Sequence, residues 1–260
     1  MSDAIVVDHV SKRFKSYRMP RHTTIKDMVT RKRKAGVSPT HEYIDALKDV
    51  SFTVPEGTVL GVIGLNGSGK SALLKVLAGV YRPDIGAFFV RGRVSALLSL
   101  GMGFHPDLTG RENVMIGGLS LGLSRTDIRR AFDEIVQFAE LEDFIDAPVR
   151  TYSSGMYARL AFSIAVHVDA DVLLLDEVFA VGDAGFVEKS RARIDRFKQE
   201  GKTIVLVTHD MHTVETWCHQ ALRLEHGAVL GFGDPGALVR QYSEYIAAML
   251  EDIHRKGLYL

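Results

Sequence analysis

The feature that most constrains the fold is a glycine-rich segment between an apolar run and a helical pattern. Residues 64–71 read Gly-Leu-Asn-Gly-Ser-Gly-Lys-Ser and match G-x-x-x-x-G-K-[ST]. The apolar run 59–63 leads in and the helical pattern 72–78 leads out, which is the context that a phosphate-binding loop needs. Glycines let backbone N–H groups converge on phosphate oxygens, and the helix N-terminus adds its positive dipole end. The segment therefore predicts an α/β fold with a phosphate cradle.

The residues of this loop have individual roles in such a site. Lys70 would reach the β- and γ-phosphates of a nucleotide, and the Ser71 hydroxyl would ligate Mg²⁺. The alternative is an ordinary glycine-rich turn between a strand and a helix, and the matching context on both sides disfavours it. The residues expected to contact the nucleotide are Gly64, Asn66, Gly67, Ser68, Gly69, Lys70, Ser71 and Ala72.

A second acidic site follows an apolar run that is typical of a buried parallel strand. Residues 172–175 are Val-Leu-Leu-Leu, and Asp176 and Glu177 come directly after them. Open α/β sheets bind ligands at the carboxyl ends of their strands. Asp176 would hold Mg²⁺, and Glu177 would polarise the attacking water. The alternative is that the two acids only form a turn, and the upstream phosphate loop disfavours it.

The motif content excludes a guanine-nucleotide enzyme. Residues 107–110 fit D-x-x-G, which such enzymes carry. However, no N-K-x-D segment occurs anywhere in the chain to read guanine. The phosphate loop therefore needs another nucleotide.

Composition restricts the class of protein. The chain has 260 residues, of which 46% are apolar and 25% are charged, values typical of globular proteins. Its 32 basic and 32 acidic residues cancel, so the overall charge indicates no nucleic-acid partner. The lone Cys218 suits a reducing compartment, and no apolar run is long enough to span a bilayer. We therefore expect a cytosolic α/β protein.

The N-terminal region departs from this even charge. Residues 11–34 are rich in Lys and Arg and contain a single acid, Asp27. Apolar residues at helical spacing between two prolines predict a basic helix inserted at residues 20–40. Its basic run 31–34 is either a solvated charge run or a surface that faces anionic lipid headgroups.

A third motif carries a resemblance to a known family. Residues 152–156 read Tyr-Ser-Ser-Gly-Met, and this resembles the L-S-G-G-Q signature of ABC-type ATPases in a variant form. Ser153 and Gly155 are kept, whereas Ser154 replaces a glycine and Met156 replaces the glutamine. The order of phosphate loop, signature and acid pair along the chain also matches that family.

Two later segments extend the resemblance to residues 4–234. Residues 181–183 look like the D-loop of the family, whose Asp183 would lie across a dimer interface. The apolar run 203–207 is typical of a buried parallel strand. Residues 208–210 follow it and look like the switch segment, with His209 contacting the γ-phosphate. The family's Q-loop glutamine has no counterpart near Ser99.

The resemblance implies a fold and a nucleotide site. The fold would be a P-loop NTPase of the α/β class: an ABC ATPase cassette with a mixed RecA-like core, an antiparallel β subdomain and a helical signature subdomain. The ligands would be ATP and Mg²⁺. Ser153, Ser154 and Gly155 would act in trans, completing the site of a second copy in a head-to-tail, ATP-dependent dimer. Phe14, Tyr17 and Tyr43 are candidates for the aromatic that stacks on adenine, and Tyr17 is favoured.

Details of the motifs resemble one group within the family. Together with residues 176–183 and the signature, the segment 103–113 looks like the ATPase subunit of Wzt-like bacterial polysaccharide exporters, without their C-terminal carbohydrate-binding domain. These export O-antigen, teichoic acid and related lipid-linked glycans. The resemblance implies two copies of a separate integral membrane permease, a lipid-linked glycan substrate, and a peripheral location on the cytoplasmic face of the inner membrane.

Two other functions of an ABC ATPase compete with polysaccharide export. A soluble ABC ATPase acting on ribosomes or DNA usually has two cassettes or a long coiled coil, which 260 residues do not accommodate. The alternative of an ABC ATPase that serves another transported substrate also stays open.

We expect a nucleotide-binding domain at residues 1–240, with a helical subdomain at 105–168, and a C-terminal helical tail at 241–260.

Overall fold

The computed structural model describes residues 2–16, 42–97, 101, 103–176 and 183–255. The predicted features outside these ranges are the basic insertion at 20–40, Tyr17, Ser99, Glu177, residues 181–182 of the D-loop segment and residues 256–260 of the C-terminal tail. The described strands are β1 (Asp3–Ser16), β2 (Glu42–Pro55), β3 (Val59–Ile63), β4 (Ile85–Val90), β5 (Val94–Leu97), β6 (Val172–Asp176), β7 (Thr203–Val207), β8 (Gln220–Glu225) and β9 (Ala228–Gly233). The described helices are α1 (Lys70–Leu77), α2 (Gly110–Ser120), α3 (Arg125–Ala139), α4 (Ser154–Val166), α5 (Ala184–Gln199), α6 (Met211–Trp217) and α7 (Pro235–Arg255), with a 3₁₀ turn at Val149–Thr151.

The smaller sheet is antiparallel, with strand order β2-β1-β4. Its first two strands are longer than their short apolar cores at 4–8 and 50–54 predict. Pairing between β1 and β2 continues through several register shifts, so polar residues outside the apolar cores are held by backbone hydrogen bonds. This long ribbon carries β2 past the phosphate loop.

The larger sheet has the order β5-β6-β7-β3-β8-β9, and all its pairs are parallel except β8 with β9. Every residue of β3 and β7 is buried, as near-continuous apolar runs between two layers require. Val207 pairs with both Asp176 and Val62. The carboxyl ends of β6, β7 and β3 therefore meet at one edge of the sheet.

The segment between β5 and β6 is mainly helical, and its helices begin at residues that the sequence marks. Thr109 forms a capping box with Glu112 at the start of α2, and Ser124 and Ser153 cap α3 and α4. A glycine-containing D-x-x-G match at 107–110 is thus a helix start in this chain.

Asp followed by Pro is a sequence signal for the start of a helix, and the last described helix, α7, begins at Pro235 directly after Asp234. The Asp234 carboxylate accepts a hydrogen bond from the Ala237 N–H at 2.8 Å. The helix is continuous to Arg255, so the boundary expected between residues 240 and 241 falls inside it. Among the described residues, no helix is both long and apolar enough to cross a bilayer.

Candidate functional site

The phosphate loop connects β3 to α1, and its glycines adopt backbone conformations that other residues avoid. The φ angles of Gly64, Gly67 and Gly69 are 148°, 79° and 109°. A Cβ atom added at Gly69 would collide with the Ala46 carbonyl oxygen, and one added at Gly64 would collide with that of Leu224. Neighbouring backbone from β2 and β8 therefore requires glycine at both positions.

Lys70 is folded over this loop rather than extended into solvent. The side chain is buried, with 7% of the residue exposed. Its Nζ donates hydrogen bonds to the carbonyl oxygens of Gly64 at 2.6 Å and Leu65 at 3.0 Å. The ammonium group is thus held at the loop, where a phosphate group would sit in a cradle of this type.

One cleft brings the loop together with the ends of two other strands. Its volume is about 570 Å³. Asp176 at the end of β6 and His209 just after β7 line it opposite the loop residues. The loop residues that line it are Asn66, Gly67, Ser68, Gly69, Lys70, Ser71 and Ala72. The structure therefore gathers, around one space, side chains from three separate motifs.

The donor set of this cleft fits a nucleotide phosphate group with Mg²⁺. The Ser71 hydroxyl and the Asp176 carboxylate are hard oxygen ligands of the kind that Mg²⁺ prefers. The Lys70 ammonium and the N-terminus of α1 present positive charge to an anion at the same place. These residues could hold the metal and the phosphates at once.

Sequence reasoning missed the part of the cleft that β2 supplies. Ile44, Asp45 and Ala46 also line it. No motif marks these residues, because their place depends on the close approach of the Ala46 carbonyl to Gly69. The crowding at Gly69 could have indicated a neighbouring strand, but not which one.

The structure describes two of the three aromatic candidates for adenine stacking, Phe14 and Tyr43. Tyr17, the favoured one, lies outside the described residues. Tyr43 is 56% exposed. Phe14 pairs with Ile44 in the register of β1 and β2, so the two share a face of the ribbon and Ile44 lines the cleft. The Phe14 ring also packs edge-on against Tyr81, with 5.1 Å between the ring centroids.

The signature segment lies apart from this cleft. Ser153 is the N-cap of α4 and accepts a hydrogen bond from the Met156 N–H at 3.1 Å. Ser153 and Ser154 are exposed, and neither they nor Gly155 are among the described residues that line the cleft. The structure does not bring the signature and the phosphate loop of one chain to the same space.

Two departures from the family's signature have structural explanations. Tyr152, at the leucine position, donates a hydrogen bond from its hydroxyl to the Phe144 carbonyl oxygen at 2.8 Å. Met156, at the glutamine position, is partly buried against the apolar core. Both side chains are thus used to pack the helical segment onto its neighbours.

Asp183, the predicted D-loop residue, lies beside the signature helix. It caps α5, and its carboxylate accepts a hydrogen bond from the Phe186 N–H at 3.0 Å. This hydrogen bond is the main reason why the pKa of Asp183 is lowered, and the Arg159 guanidinium 3.8 Å away also contributes. Asp183 therefore stays ionised and is positioned from α4 as well as from α5.

Comparison with known proteins gives both relatives and a fold. The O-antigen export system ATP-binding protein RfbB of Myxococcus xanthus is 49% identical over 247 residues, which cover 94% of this chain and 56% of that protein. The teichoic acids export ATP-binding protein TagH of Bacillus anthracis is 39% identical over 246 residues, covering 95% of this chain and 43% of that protein. The chain thus spans about half the length of these curated relatives.

A solved ATP-binding cassette, a dimer in a post-hydrolysis state bound to ADP and Pi, has a TM-score of 0.68 with this chain. The two chains are 22% identical, and the match covers 89% of this one and 98% of the other. This likeness confirms the predicted fold: a mixed core sheet, an antiparallel β subdomain and a helical segment. The family model described as ABC transporter matches residues 47–180. Because that match takes in just over half of the 260 residues, the chain belongs to the ABC transporter family.

Proposed function

We propose that this chain is the ATP-hydrolysing subunit of an exporter that moves a lipid-linked polysaccharide across the cytoplasmic membrane. One observation carries the ATP-hydrolysing part of the proposal: the cleft unites Lys70, Asp176 and His209, while Ser153 lies elsewhere on the chain. A single chain therefore carries two different halves of a nucleotide site, one at the phosphate loop and one at the signature, and the two halves do not face each other.

Within the cleft, different residues have different roles in phosphoryl transfer. The loop backbone and Lys70 bind and orient the phosphates, and His209 contacts the terminal one. Ser71 and Asp176 would hold Mg²⁺, which neutralises charge on the phosphate oxygens when bound. Glu177, which follows β6 outside the described residues, would orient and deprotonate the attacking water.

The second half of the site comes from another copy of the chain. Two copies that meet head to tail would place Ser153, Ser154 and Gly155 of each against the loop of the other, with Asp183 at the interface. A two-fold arrangement closes both sites at once. Because the γ-phosphate would be held from both sides, its loss removes contacts that favour the closed dimer. Hydrolysis could then drive a movement in attached membrane subunits.

The names of the relatives support the choice of substrate and location. The two relatives above are named for export of O-antigen and of teichoic acids. Such work requires a separate integral membrane permease, expected in two copies, with this chain held peripherally at the cytoplasmic face of the inner membrane. The relatives do not favour a ribosome- or DNA-directed ATPase.

Reconstitution tests this function directly. The chain is co-expressed with a candidate integral membrane permease, the complex is placed in lipid vesicles, and ATP hydrolysis is measured with and without a lipid-diphosphate-linked O-antigen glycan. We expect the glycan to stimulate hydrolysis, while the same lipid diphosphate without sugar stimulates it less. The proposal would be contradicted if the glycan did not change the rate of ATP hydrolysis and the complex did not transport the glycan.

A further inference from the structure

The hairpin that joins β8 to β9 lies directly against the phosphate loop. Its two turn residues, His226 and Gly227, have φ angles of 47° and 85°, as a tight two-residue hairpin turn requires. The Gly227 N–H donates a hydrogen bond to the Ser68 carbonyl oxygen at 2.9 Å. The Gly227 carbonyl oxygen accepts one from the Lys48 N–H at 2.8 Å. One residue thus joins the loop to β2.

The space around Gly227 is too small for a side chain at this position. An added Cβ would lie 2.9 Å from the Ala46 carbonyl oxygen and 3.3 Å from that of Asp45. From the other side, a Cβ built on Gly69 would lie 3.5 Å from the Gly227 Cα. The turn, the loop and β2 therefore pack backbone against backbone, so a displacement of the turn must displace the loop.

The strand that leads into the turn is held by helix α7. Arg223 and Glu225 form an ion pair at 2.9 Å, with side chains only 11% and 16% exposed. The Tyr245 hydroxyl donates a hydrogen bond to the other Glu225 carboxylate oxygen at 2.6 Å. The Arg223 guanidinium also lies over the rings of Tyr245 and Tyr242, 4.6 Å and 5.5 Å from their centroids.

These contacts form a continuous path from α7 to the phosphate loop. Tyr245 holds Glu225, Glu225 is followed by the turn, and the turn is bonded to Ser68. The hydrogen bond from Tyr245 is the main reason why the pKa of Glu225 is lowered, so the carboxylate is ionised and accepts strongly. Helix α7 is itself anchored by Leu238 and Val239 in the core.

We propose that helix α7 and the β8–β9 turn position the phosphate loop, and thereby set the affinity of this chain for nucleoside di- and triphosphates. The inference rests on the proposed ATP-binding function and adds Gly227 and Tyr245 to it as positioning residues. Because the loop would hold the β-phosphate that ATP and ADP share, both affinities change together when the support is disturbed.

The test measures dissociation constants for ATP and ADP by calorimetry, with thermal unfolding in parallel. Gly227→Ala is compared with Gly201→Ala, because Gly201 also has a positive φ of 74° but has no atom within 4 Å of an added Cβ. Both variants should lose thermal stability because φ is positive at both positions, and only Gly227→Ala adds a close contact with the Ala46 carbonyl oxygen. We expect Gly227→Ala to raise both dissociation constants about tenfold and Gly201→Ala to change them less than about twofold.

A second pair keeps the test decisive if Gly227→Ala does not fold. Tyr245→Phe removes the hydroxyl that contacts Glu225, whereas Tyr242→Phe keeps the same ring contact with Arg223 and removes a hydroxyl that makes no hydrogen bond to Glu225 in the described part of the chain. We expect Tyr245→Phe to raise both dissociation constants, and the KM for ATP, about threefold with little change in kcat. Tyr242→Phe should bind as the parent does.

The outcomes separate this inference from the function on which it rests. A parent chain that binds neither ATP nor ADP overturns both. If the parent binds and each test variant matches its control, the function stands and the positioning role is wrong. Equal loss of affinity in test and control variants also overturns the positioning role, because it shows a general effect of lowered stability.

Discussion

The phosphate loop and the signature segment both lead into a helix, but their surroundings differ. The loop is enclosed by its own chain, and a Cβ added at Gly64 or Gly69 would collide with backbone carbonyls of β8 or β2. The signature is open: among the described residues, a Cβ added at Gly155 would approach no atom closer than Ser153 Oγ at 3.8 Å. The loop glycines are thus required by this chain, whereas nothing in its described part requires Gly155.

This contrast indicates where the partner of each segment lies. Backbone that is packed within the chain forms its site on folding, before any second molecule arrives. An exposed helix N-terminus with small residues leaves space and unpaired N–H groups for a group from outside. The difference supports a site shared between two copies. Experiments on each segment test this contrast, in order of decreasing expected effect.

The largest effect separates catalysis from binding on the loop side. We expect Glu177→Gln to lower kcat about a thousandfold and to leave the dissociation constant for ATP nearly unchanged, because water activation is lost while phosphate contacts remain. Lys70→Ala should instead weaken ATP binding at least about tenfold, because it deletes a charge-assisted contact. Steady-state kinetics measures kcat, and calorimetry measures the dissociation constant for ATP. The control is Glu188→Gln, which makes the same substitution at an exposed glutamate of α5. Identical behaviour of the Glu177 and Lys70 variants would refute the division of roles.

The next experiment addresses the signature side. Ser153→Arg should lower hydrolysis about a hundredfold with ATP binding by the single chain intact, because a bulky charge blocks the second half of the site. Both Ser153 and Ser124 are exposed N-caps that accept one backbone hydrogen bond, so Ser124→Arg controls for the cap energy of about 1 kcal/mol.

Mixing two inactive variants tests the shared site more directly. A heterodimer of Ser153→Arg and Lys70→Ala chains has one site that lacks both residues and one site that lacks neither. Hydrolysis should therefore return when the two inactive variants are combined. No recovery at any ratio would show that the sites are not shared, or that both must act together.

The smallest effect concerns stability. Gly69→Ala should lower the free energy of unfolding by about 2 kcal/mol, because φ is positive there and the Ala46 carbonyl blocks the Cβ. Gly155→Ala should raise it by up to about 1 kcal/mol, since alanine favours helix and the space is open. Urea unfolding of the two variants measures the difference. A destabilising Gly155→Ala would mean that the chain itself needs that glycine.

Much of the core and of the loop could be predicted from local patterns. The apolar run at Thr203–Val207 matches β7 residue for residue, and α7 begins at Pro235 as its N-cap signal indicates. The glycine-rich pattern of residues 64–71 predicts a loop between a strand and a helix, and the structure has this loop between β3 and α1. The prediction succeeds because the loop geometry depends on glycines that are only a few residues apart. Such features are determined within a few residues, where period, capping and backbone freedom act.

Contacts between residues far apart in the chain could not be predicted from local patterns. No pattern places Ala46 over Gly69, joins Gly227 to Ser68, or assigns Tyr152 and Met156 of the signature to packing. Each depends on which strands become neighbours, and that choice is made by burying two apolar clusters at once rather than by local preference. The sequence could therefore predict that Lys70, Asp176 and His209 line one cleft, but not the backbone that supports them.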